Sequence, residues 1–290
     1  MAAIRWTRVC AILLVLTAPR FALAEPDVFA DVVYGHKDGM ALFYDVIRPA
    51  QPSGAGVIYM VSGGWFSVWQ PPEQRFGYFD PLLAEGFTVF AVHHGSAPRF
   101  KVPEAVSDVR AAVRHIHEHA AQYGIDPKRL GVFGGSAGGH LSLMLGLDSQ
   151  SQPDAAASAA PRRSLGPYYA SNGDSDARVA AVVAYYPPVD LRGLAGPNER
   201  FPALEFDPDQ AAAISPLLFV SSDDPPTLLV HGDADTLVPV SNSQRLDEAL
   251  TAQGVEHELV VIEGGDHGFR DPALRARADA AMVRWFKQHL

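Results

Sequence analysis

The chain has 290 residues, of which 48% are hydrophobic and 19% are charged, and its formal net charge at pH 7 is −10. A chain of this length can bury a full hydrophobic core without disulfides or a structural metal, and its composition favours one sizeable α/β domain. The acidic balance argues against nucleic acid or an anionic membrane as the partner, because both repel a negatively charged surface.

The first 24 residues have the layout of a secretory signal peptide. Arg5 and Arg8 form a basic start, the apolar run VCAILLVLTA follows, and the small residues Ala22 and Ala24 precede Glu25. This run is shorter than the roughly 20 residues that span a bilayer, so cleavage is favoured over a membrane anchor. We therefore expect a secreted or periplasmic protein with no stable membrane span after cleavage. Without this segment, which holds three arginines, the single cysteine and no acid, the net charge falls from −10 to −13.

Eight apolar segments predict the strands of a sheet. Alternating apolar and polar residues at positions 28–35 and 40–49 predict two antiparallel strands. Six later segments are continuously apolar, as parallel strands covered on both faces require. These segments are GVIYMVS, FTVFAVHH, LGVFGG, VAAVVAYY, TLLVHG and HELVVIEG.

Helical segments alternate with these strands. Residues 103–124 have apolar positions at three- and four-residue spacing, begin at a proline and end at a glycine. Residues 241–254 open with cap-type side chains and also end at a glycine, and residues 271–290 are expected to form the closing helix. The alternation predicts a single α/β domain over residues 25–290, a doubly wound and mostly parallel sheet with helices on both faces.

Residues 148–178 interrupt this alternation. They are rich in Ser, Ala, Asp and Pro and have little apolar periodicity. Long loops of this kind in a compact domain are usually functional or without fixed structure. We expect a mobile surface insertion, with a structured lid as the alternative.

A serine lies at the centre of a glycine-rich turn in the segment LGVFGGSAGGHLSLMLG. Residues 134–138 match the pattern G-x-S-x-G between a predicted strand and a predicted helix. So tight a turn strains the backbone of Ser136 and leaves no room for side chains beside it, which explains the glycines. The Ala137 amide and the positive end of the helix then face developing negative charge. We predict that Ser136 is a nucleophile and Ala137 an oxyanion donor.

A serine nucleophile needs a base, and the base needs an orienting carboxylate. Asp235 follows the predicted strand TLLVHG, and His267 lies in the glycine-rich loop after the last predicted strand. Open α/β sheets place their sites in loops at the carboxyl ends of the strands. We predict Asp235 as the acid and His267 as the base, with Asp233 as the alternative acid.

The loop SGGW after the first parallel strand is the expected source of a second oxyanion donor. Backbone amides around Gly63, Gly64 and Trp65 can approach a tetrahedral intermediate, because glycine permits close contact. Trp65, with Phe66 and Trp69, is also predicted to line the substrate site, and plain packing is the alternative for these aromatic side chains.

Taken together, these motifs resemble those of secreted α/β-hydrolases of the esterase/lipase type. The resemblance is to feruloyl-esterase-like and hormone-sensitive-lipase-like carboxylesterases, which are related to the catalytic domain of prolyl oligopeptidases. It rests on SGGW, VPEAVSDVRAAVRHI, YGIDPKRLGVFGGSAGGHLSLML, AYYPPVDL, VHGDADTLVPV and GGDHGF. It implies the α/β-hydrolase fold, the roles given above to Ser136, Asp235 and His267, and no cofactor. The implied activity is hydrolysis of short-chain or carbohydrate-linked acyl esters through an acyl-enzyme.

Two stretches depart from the pattern of that family. The oxyanion loop usually begins with a histidine before its glycines, whereas this chain has Val61 and Ser62 there. The family often has DYR after the third core strand, whereas this chain has His93, His94 and Gly95. We expect a structural role for the two histidines, with a place in the wall of the site as the alternative.

Two other functions and a metal site compete with this interpretation. Oligopeptidases of this type carry a gating propeller, for which residues 25–290 leave no room, so a small exported peptidase is disfavoured. Non-catalytic binding proteins on this scaffold usually lack a triad residue, whereas this chain has all three. Of His115, His117 and His119, only the first and last share a helix face, and we therefore predict no metal site.

Overall fold

The computed structural model describes residues 25–147 and 178–290. The predicted signal peptide (residues 1–24) and all but the last residue of the predicted insertion (148–178) lie outside the described residues.

The described residues form one sheet of eight strands in the order β1-β2-β4-β3-β5-β6-β7-β8. The first three strands in this order pair antiparallel and the remaining pairs are parallel. All eight predicted strands are therefore confirmed. Their bounds are β1 Asp27–Lys37, β2 Met40–Arg48, β3 Gly56–Met60, β4 Thr88–Val92, β5 Leu130–Gly135, β6 Ala181–Tyr185, β7 Thr227–Gly232 and β8 His257–Ile262.

Helices cover both faces of the sheet, as predicted. They are α1 Phe76–Leu83, α2 Val102–His119, α3 Ala137–Leu147, α4 Ser241–Gln253 and α5 Pro272–His289. The sequence did not predict α1, which contains Pro81. The expected side-chain cap of α4 is wrong, because Val240 occupies the cap position and no side chain bonds there. Ser243, one of the expected cap-type residues, bonds instead to His231, with 2.8 Å between Oγ and Nδ1.

Two hydrophobic clusters lie on opposite faces of the sheet. Helices α2, α3 and α4 contribute buried side chains such as Val109, Leu141 and Leu246 to one cluster. Helices α1 and α5 contribute to the other, which includes Phe79 and Phe286. Each such fully buried side chain stabilises the fold by roughly 1.5–3 kcal/mol. The doubly wound α/β-hydrolase architecture expected from the sequence is confirmed.

The carboxyl ends of the parallel strands meet at one edge of the sheet, where the loops that follow β3, β5, β7 and β8 lie together. These loops, with Ala137 at the start of α3, carry the predicted site residues. Within residues 25–147 and 178–290, no helix combines the length and the apolar character that crossing a membrane requires.

Candidate active site

Ser136 sits in a strained turn between β5 and α3. Its φ is +54°, in the left-handed region that non-glycine residues rarely adopt. A Cβ added at Gly134 would lie 2.5 Å from the carbonyl carbon of Gly138, so a side chain is sterically excluded there. The Ser136 amide donates to the Tyr185 carbonyl at 2.9 Å, and the Ser136 carbonyl accepts from the His140 amide at 2.9 Å. The backbone is thus held while the half-buried serine presents its side chain at the sheet edge.

Asp235 and His267 form a close pair across the loops after β7 and β8. Oδ2 of Asp235 lies 2.7 Å from Nδ1 of His267. The other carboxylate oxygen accepts the amides of Leu237 and Val238 at 2.8 and 2.9 Å. The Asp235 side chain is fully buried, whereas that of His267 is 22% exposed. A carboxylate so placed keeps the proton on Nδ1, which leaves Nε2 free to accept one.

The alternative acid, Asp233, makes a different contact. Its Oδ1 accepts the Gly264 amide at 2.7 Å, so that it ties the β7 loop to the loop after β8. Asp233 is exposed and no hydrogen bond joins it to His267, both residues being among those described. The geometry therefore favours Asp235 over Asp233 as the partner of the histidine.

The sequence analysis did not identify His231, which contacts the Asp235 loop from β7. This imidazole is fully buried, and its Nε2 lies 2.8 Å from the Val238 carbonyl and 3.4 Å from Oδ2 of Asp235. Burial lowers the pKa of His231. A neutral His231 donates from Nε2 to the Val238 carbonyl and accepts at Nδ1 from the Ser243 hydroxyl, which holds the loop without adding charge beside Asp235.

Tyr186 is a second site residue that the sequence analysis missed. Its ring centroid lies 4.6 Å from that of His267, and a Cβ added at Gly135 would lie 2.6 Å from its hydroxyl oxygen. Tyr186 thus lies between the Ser136 turn and the imidazole, and its φ of +38° adds a second strained backbone at this edge. Burial raises the pKa of Tyr186, so its hydroxyl keeps its proton at neutral pH.

Tyr186 therefore lies next to both the Ser136 turn and His267. No hydrogen bond joins Ser136 to His267, although both residues are among those described. Catalytic hydrogen bonds are often long without substrate and shorten when it binds. The roles assigned to Ser136, Asp235 and His267 stay predictions that this geometry supports.

The loop after β3, residues 61–67, is called the glycine loop below. Within it the Gly63 amide donates to the Phe66 carbonyl at 3.0 Å, and the Phe66 amide donates back to the Gly63 carbonyl at 3.0 Å. The Gly63 amide is thus already bonded, which disfavours it as an oxyanion donor, and its predicted role stays a prediction. The amides of Gly64 and Ala137 have no acceptor among the described residues and remain the candidate donors.

Trp65 packs into the core, and its exposure is only 5%. Its Nε1 donates to Nδ1 of His140 at 3.4 Å, and His140 Nε2 lies 2.8 Å from the Ile214 carbonyl. Burial lowers the pKa of His140 to about 4. The predicted contact of Trp65 with substrate stays a prediction, but this burial favours the packing alternative. Trp69, in contrast, is 51% exposed.

Among the described residues, the surroundings of the site include a cavity next to the Asp235 loop but no metal-binding cluster. A cavity of about 250 Å³ lies beside the Asp235 loop and is bordered by Leu194, Leu237 and the ion pairs of Asp190 with Arg192 and Arg245. In the described part of the chain, no group of three or more His, Cys, Asp or Glu residues is arranged to hold a metal ion.

Comparison with known proteins identifies a family. The BD-FAE family model matches residues 44–250. The chain is 30% identical to the ethyl acetate hydrolase of Pseudomonas putida over 282 residues, which cover 92% of this chain and 84% of that protein. It is 28% identical to the esterase LipQ of Mycobacterium tuberculosis over 237 residues, or 78% of this chain and 53% of the relative. The chain thus spans about half the length of several curated relatives that it matches.

Solved structures support the same assignment. A truncated carbohydrate esterase from gut microbiota superposes with a TM-score of 0.70 and 27% sequence identity. The match covers 91% of this chain and 96% of that one.

Proposed function

The chain belongs to the BD-FAE family of α/β-hydrolase esterases, and we propose that it is a serine carboxylesterase with Ser136 as nucleophile, His267 as base and Asp235 as acid. The 2.7 Å contact between Asp235 and His267 carries this proposal. The strained turn that presents Ser136 supports it, because strain of this kind concentrates at functional sites.

The proposed reaction has two halves. Ser136 Oγ attacks the ester carbonyl while His267 Nε2 takes its proton, and Asp235 stabilises the imidazolium that forms. The amides of Gly64 and Ala137 and the N-terminus of α3 stabilise the oxyanion. The intermediate collapses, and His267 protonates the departing alcohol. A water molecule, deprotonated by His267, then attacks the acyl-enzyme; the bond to Ser136 Oγ breaks, His267 returns the proton to Oγ, and the carboxylic acid is released.

We propose short-chain or carbohydrate-linked acyl esters as substrates. The relative named an ethyl acetate hydrolase supports the short acyl chain, and the neighbour named a carbohydrate esterase supports the sugar. The cavity beside the Asp235 loop has Asp190, Arg192 and Arg245 on its border, which can hydrogen-bond a hydroxylated leaving group.

We further propose that residues 1–24 are a cleaved signal peptide and that the mature protein is secreted or periplasmic. The basic, apolar and small-residue order of this segment supports the proposal. The N-terminal sequence of the protein recovered outside the cytoplasm tests it: a start at Glu25 supports cleavage, and retained residues 1–24 contradict it.

The activity is tested with p-nitrophenyl esters from acetate to octanoate and with an acetylated oligosaccharide. We expect hydrolysis by the wild-type protein, fastest for the short chains, and a loss of about 10⁴-fold or more in kcat for Ser136→Ala, because the nucleophile is removed. Equal rates for the two proteins, or no hydrolysis of any ester by the wild type, would contradict the proposed function.

A further inference from the structure

The glycine loop is bonded along its length to the loop after β4, residues 93–97, which we call the histidine loop. The Ala97 amide donates to the Trp65 carbonyl at 3.1 Å. The Ser67 amide donates to the Ser96 hydroxyl at 3.0 Å. At the start of the glycine loop, the Ser62 hydroxyl lies 2.9 Å from Nε2 of His94. Three hydrogen bonds therefore tie the glycine loop to the histidine loop.

His94 can hold Ser62 in only one protonation pattern. Its Nδ1 lies 2.9 Å from the Gly95 carbonyl, which can only accept, so Nδ1 carries the proton. In the neutral ring Nε2 then accepts from the Ser62 hydroxyl. Burial lowers the pKa of His94 to about 4, which keeps the ring neutral at ordinary pH.

Gly95, which orients His94, is itself fixed by a partly buried ion pair. Its amide donates to Oδ2 of Asp108 at 2.9 Å, and Lys37 Nζ donates to Oδ1 of the same carboxylate at 2.8 Å. A Cβ at position 95 would lie 2.7 Å from the Phe100 ring. The direction of the His94 ring is thus set from β1 and α2, elements distant in sequence from the glycine loop.

His93 anchors the far end of the glycine loop. Its Nδ1 lies 3.2 Å from the Ser67 hydroxyl, which also accepts the His94 amide at 3.3 Å. Its ring stacks on Phe43, with the ring centroids 4.6 Å apart. The two neighbouring histidines therefore bind the serines at the two ends of the turn that contains Gly64.

The turn between these serines needs such support. Gly64 and Trp65 both have positive φ, of 57° and 60°. Glycine adopts the left-handed region readily, but the bulky Trp65 does so rarely and therefore needs the surrounding contacts to hold it there. An amide that stabilises an oxyanion must nevertheless be aimed closely, because a displacement of about 1 Å can cost as much as 100-fold in rate.

We propose that His94 is a positioning residue for the reaction, which through the Ser62 hydroxyl aims the Gly64 amide at the oxyanion. This inference rests on the proposed function. His94 does not touch the reacting atoms, and its effect reaches them through Gly63, the one residue between Ser62 and Gly64. His93 and Ser67 complete the support from the other end.

Two substitutions of His94 test the roles of its two ring nitrogens separately. Asparagine places an amide where Nδ1 lies and can still donate to the Gly95 carbonyl, but it does not reach Ser62. Glutamine reaches the position of Nε2 and can still accept from the Ser62 hydroxyl. We expect kcat for p-nitrophenyl acetate to fall about 10-fold in His94→Asn and in Ser62→Ala, part of the 10²- to 10³-fold that loss of an entire oxyanion donor costs. KM is expected to stay within about twofold, because the oxyanion forms only in the transition state.

The coupling of the two residues is tested by the double variant and by rescue. His94→Asn combined with Ser62→Ala is expected to lose no more kcat than either change alone, because both remove one hydrogen bond. His94→Gln is expected to recover kcat to within about threefold of wild type, since the bond to Ser62 is kept. His115→Ala is the control, as it removes the bond of 2.9 Å between Nδ1 of His115 on α2 and the Tyr44 hydroxyl on β2, and it is expected to lower Tm without changing kcat.

The outcomes separate this inference from the proposed function. An active wild type whose His94→Asn and Ser62→Ala variants lose Tm but keep kcat would overturn the inference alone. Kinetic losses that multiply in the double variant would also overturn it, because the residues would then act independently. A wild type without esterase activity would overturn the proposed function and this inference together.

Discussion

Asp233 and Asp235 lie two residues apart in the same loop and bind different partners. Asp235 is buried and accepts two backbone amides and the His267 imidazole. Asp233 is exposed and accepts one amide, that of Gly264. The buried carboxylate is placed to orient an imidazole, whereas the exposed one ties two loops together.

Conversion of each acid to its amide tests this difference. We expect Asp235→Asn to lower kcat for p-nitrophenyl acetate by about 10⁴-fold, because an amide no longer favours the productive tautomer of His267. The matched change Asp233→Asn leaves an oxygen that can accept the Gly264 amide, so kcat is expected to stay within about threefold. A larger loss of kcat for Asp233→Asn than for Asp235→Asn would show that Asp233, and not Asp235, is the acid.

At the scale of elements, the junction of β5 and α3 is set by contacts between backbones. The first turn of α3 lies so close to β5 that a Cβ at Gly134 would be 2.5 Å from the carbonyl carbon of Gly138. This backbone atom cannot move aside unless the helix shifts. Gly138 in turn lies against β3, because a Cβ there would be 3.0 Å from the Met60 carbonyl oxygen. The glycines are therefore requirements of packing as well as of backbone conformation.

The change Gly134→Ala tests this packing against Gly35→Ala in β1, where a Cβ would have no atom within 4 Å. We expect Gly134→Ala to lower the free energy of unfolding by about 3 kcal/mol, as overpacking against a backbone does. Gly35→Ala is expected to be neutral or slightly stabilising, because it restricts the unfolded chain. Urea denaturation of both variants measures the difference, and equal stabilities would show that the junction can relax.

For the whole molecule, buried neutral imidazoles make stability depend on pH. Burial lowers the pKa of His93 to about 3 and those of His94 and His140 to about 4. The unfolded chain takes up protons at these positions below its ordinary pKa of 6.5, while the folded chain does not. Their contribution to stability is therefore intact above pH 6.5 and is lost as pH falls from 6.5 towards 4.

This dependence is measurable for His140 by comparing His140→Gln with wild type. For one imidazole with these values, the free energy of unfolding is expected to fall by about 2 kcal/mol between pH 7 and pH 5. His140→Gln should thus lose about 2 kcal/mol less than wild type over that range in urea denaturation. The buried carboxyls of Asp45 and Asp108, whose pKa burial raises, are common to both proteins and cancel. Equal losses would mean that His140 titrates in the folded protein as it does in the unfolded chain.

The sequence by itself determined the elements of the sheet and the order of the candidate catalytic residues. All eight strands and the helices α2, α4 and α5 follow from apolar periodicity and from the residues that end each segment, which are properties of neighbouring residues. The turn around Ser136 is equally local, because only glycine fits beside it. Helix α1, in contrast, escaped prediction because Pro81 interrupts its pattern.

Only the tertiary structure decided which residues meet at the edge of the sheet. Three contacts at that edge lie within or between loops. Tyr186 packs on His267, the Gly63 amide bonds to the Phe66 carbonyl, and His94 bonds to Ser62. In the sheet β3 lies between β4 and β5, an order that apolar periodicity does not encode. The physical reason is the separation of the interacting residues along the chain. Apolar periodicity shows which face of a segment is buried, and it depends only on neighbouring residues. The direction of a backbone amide in a loop depends on hydrogen bonds to residues about thirty positions away.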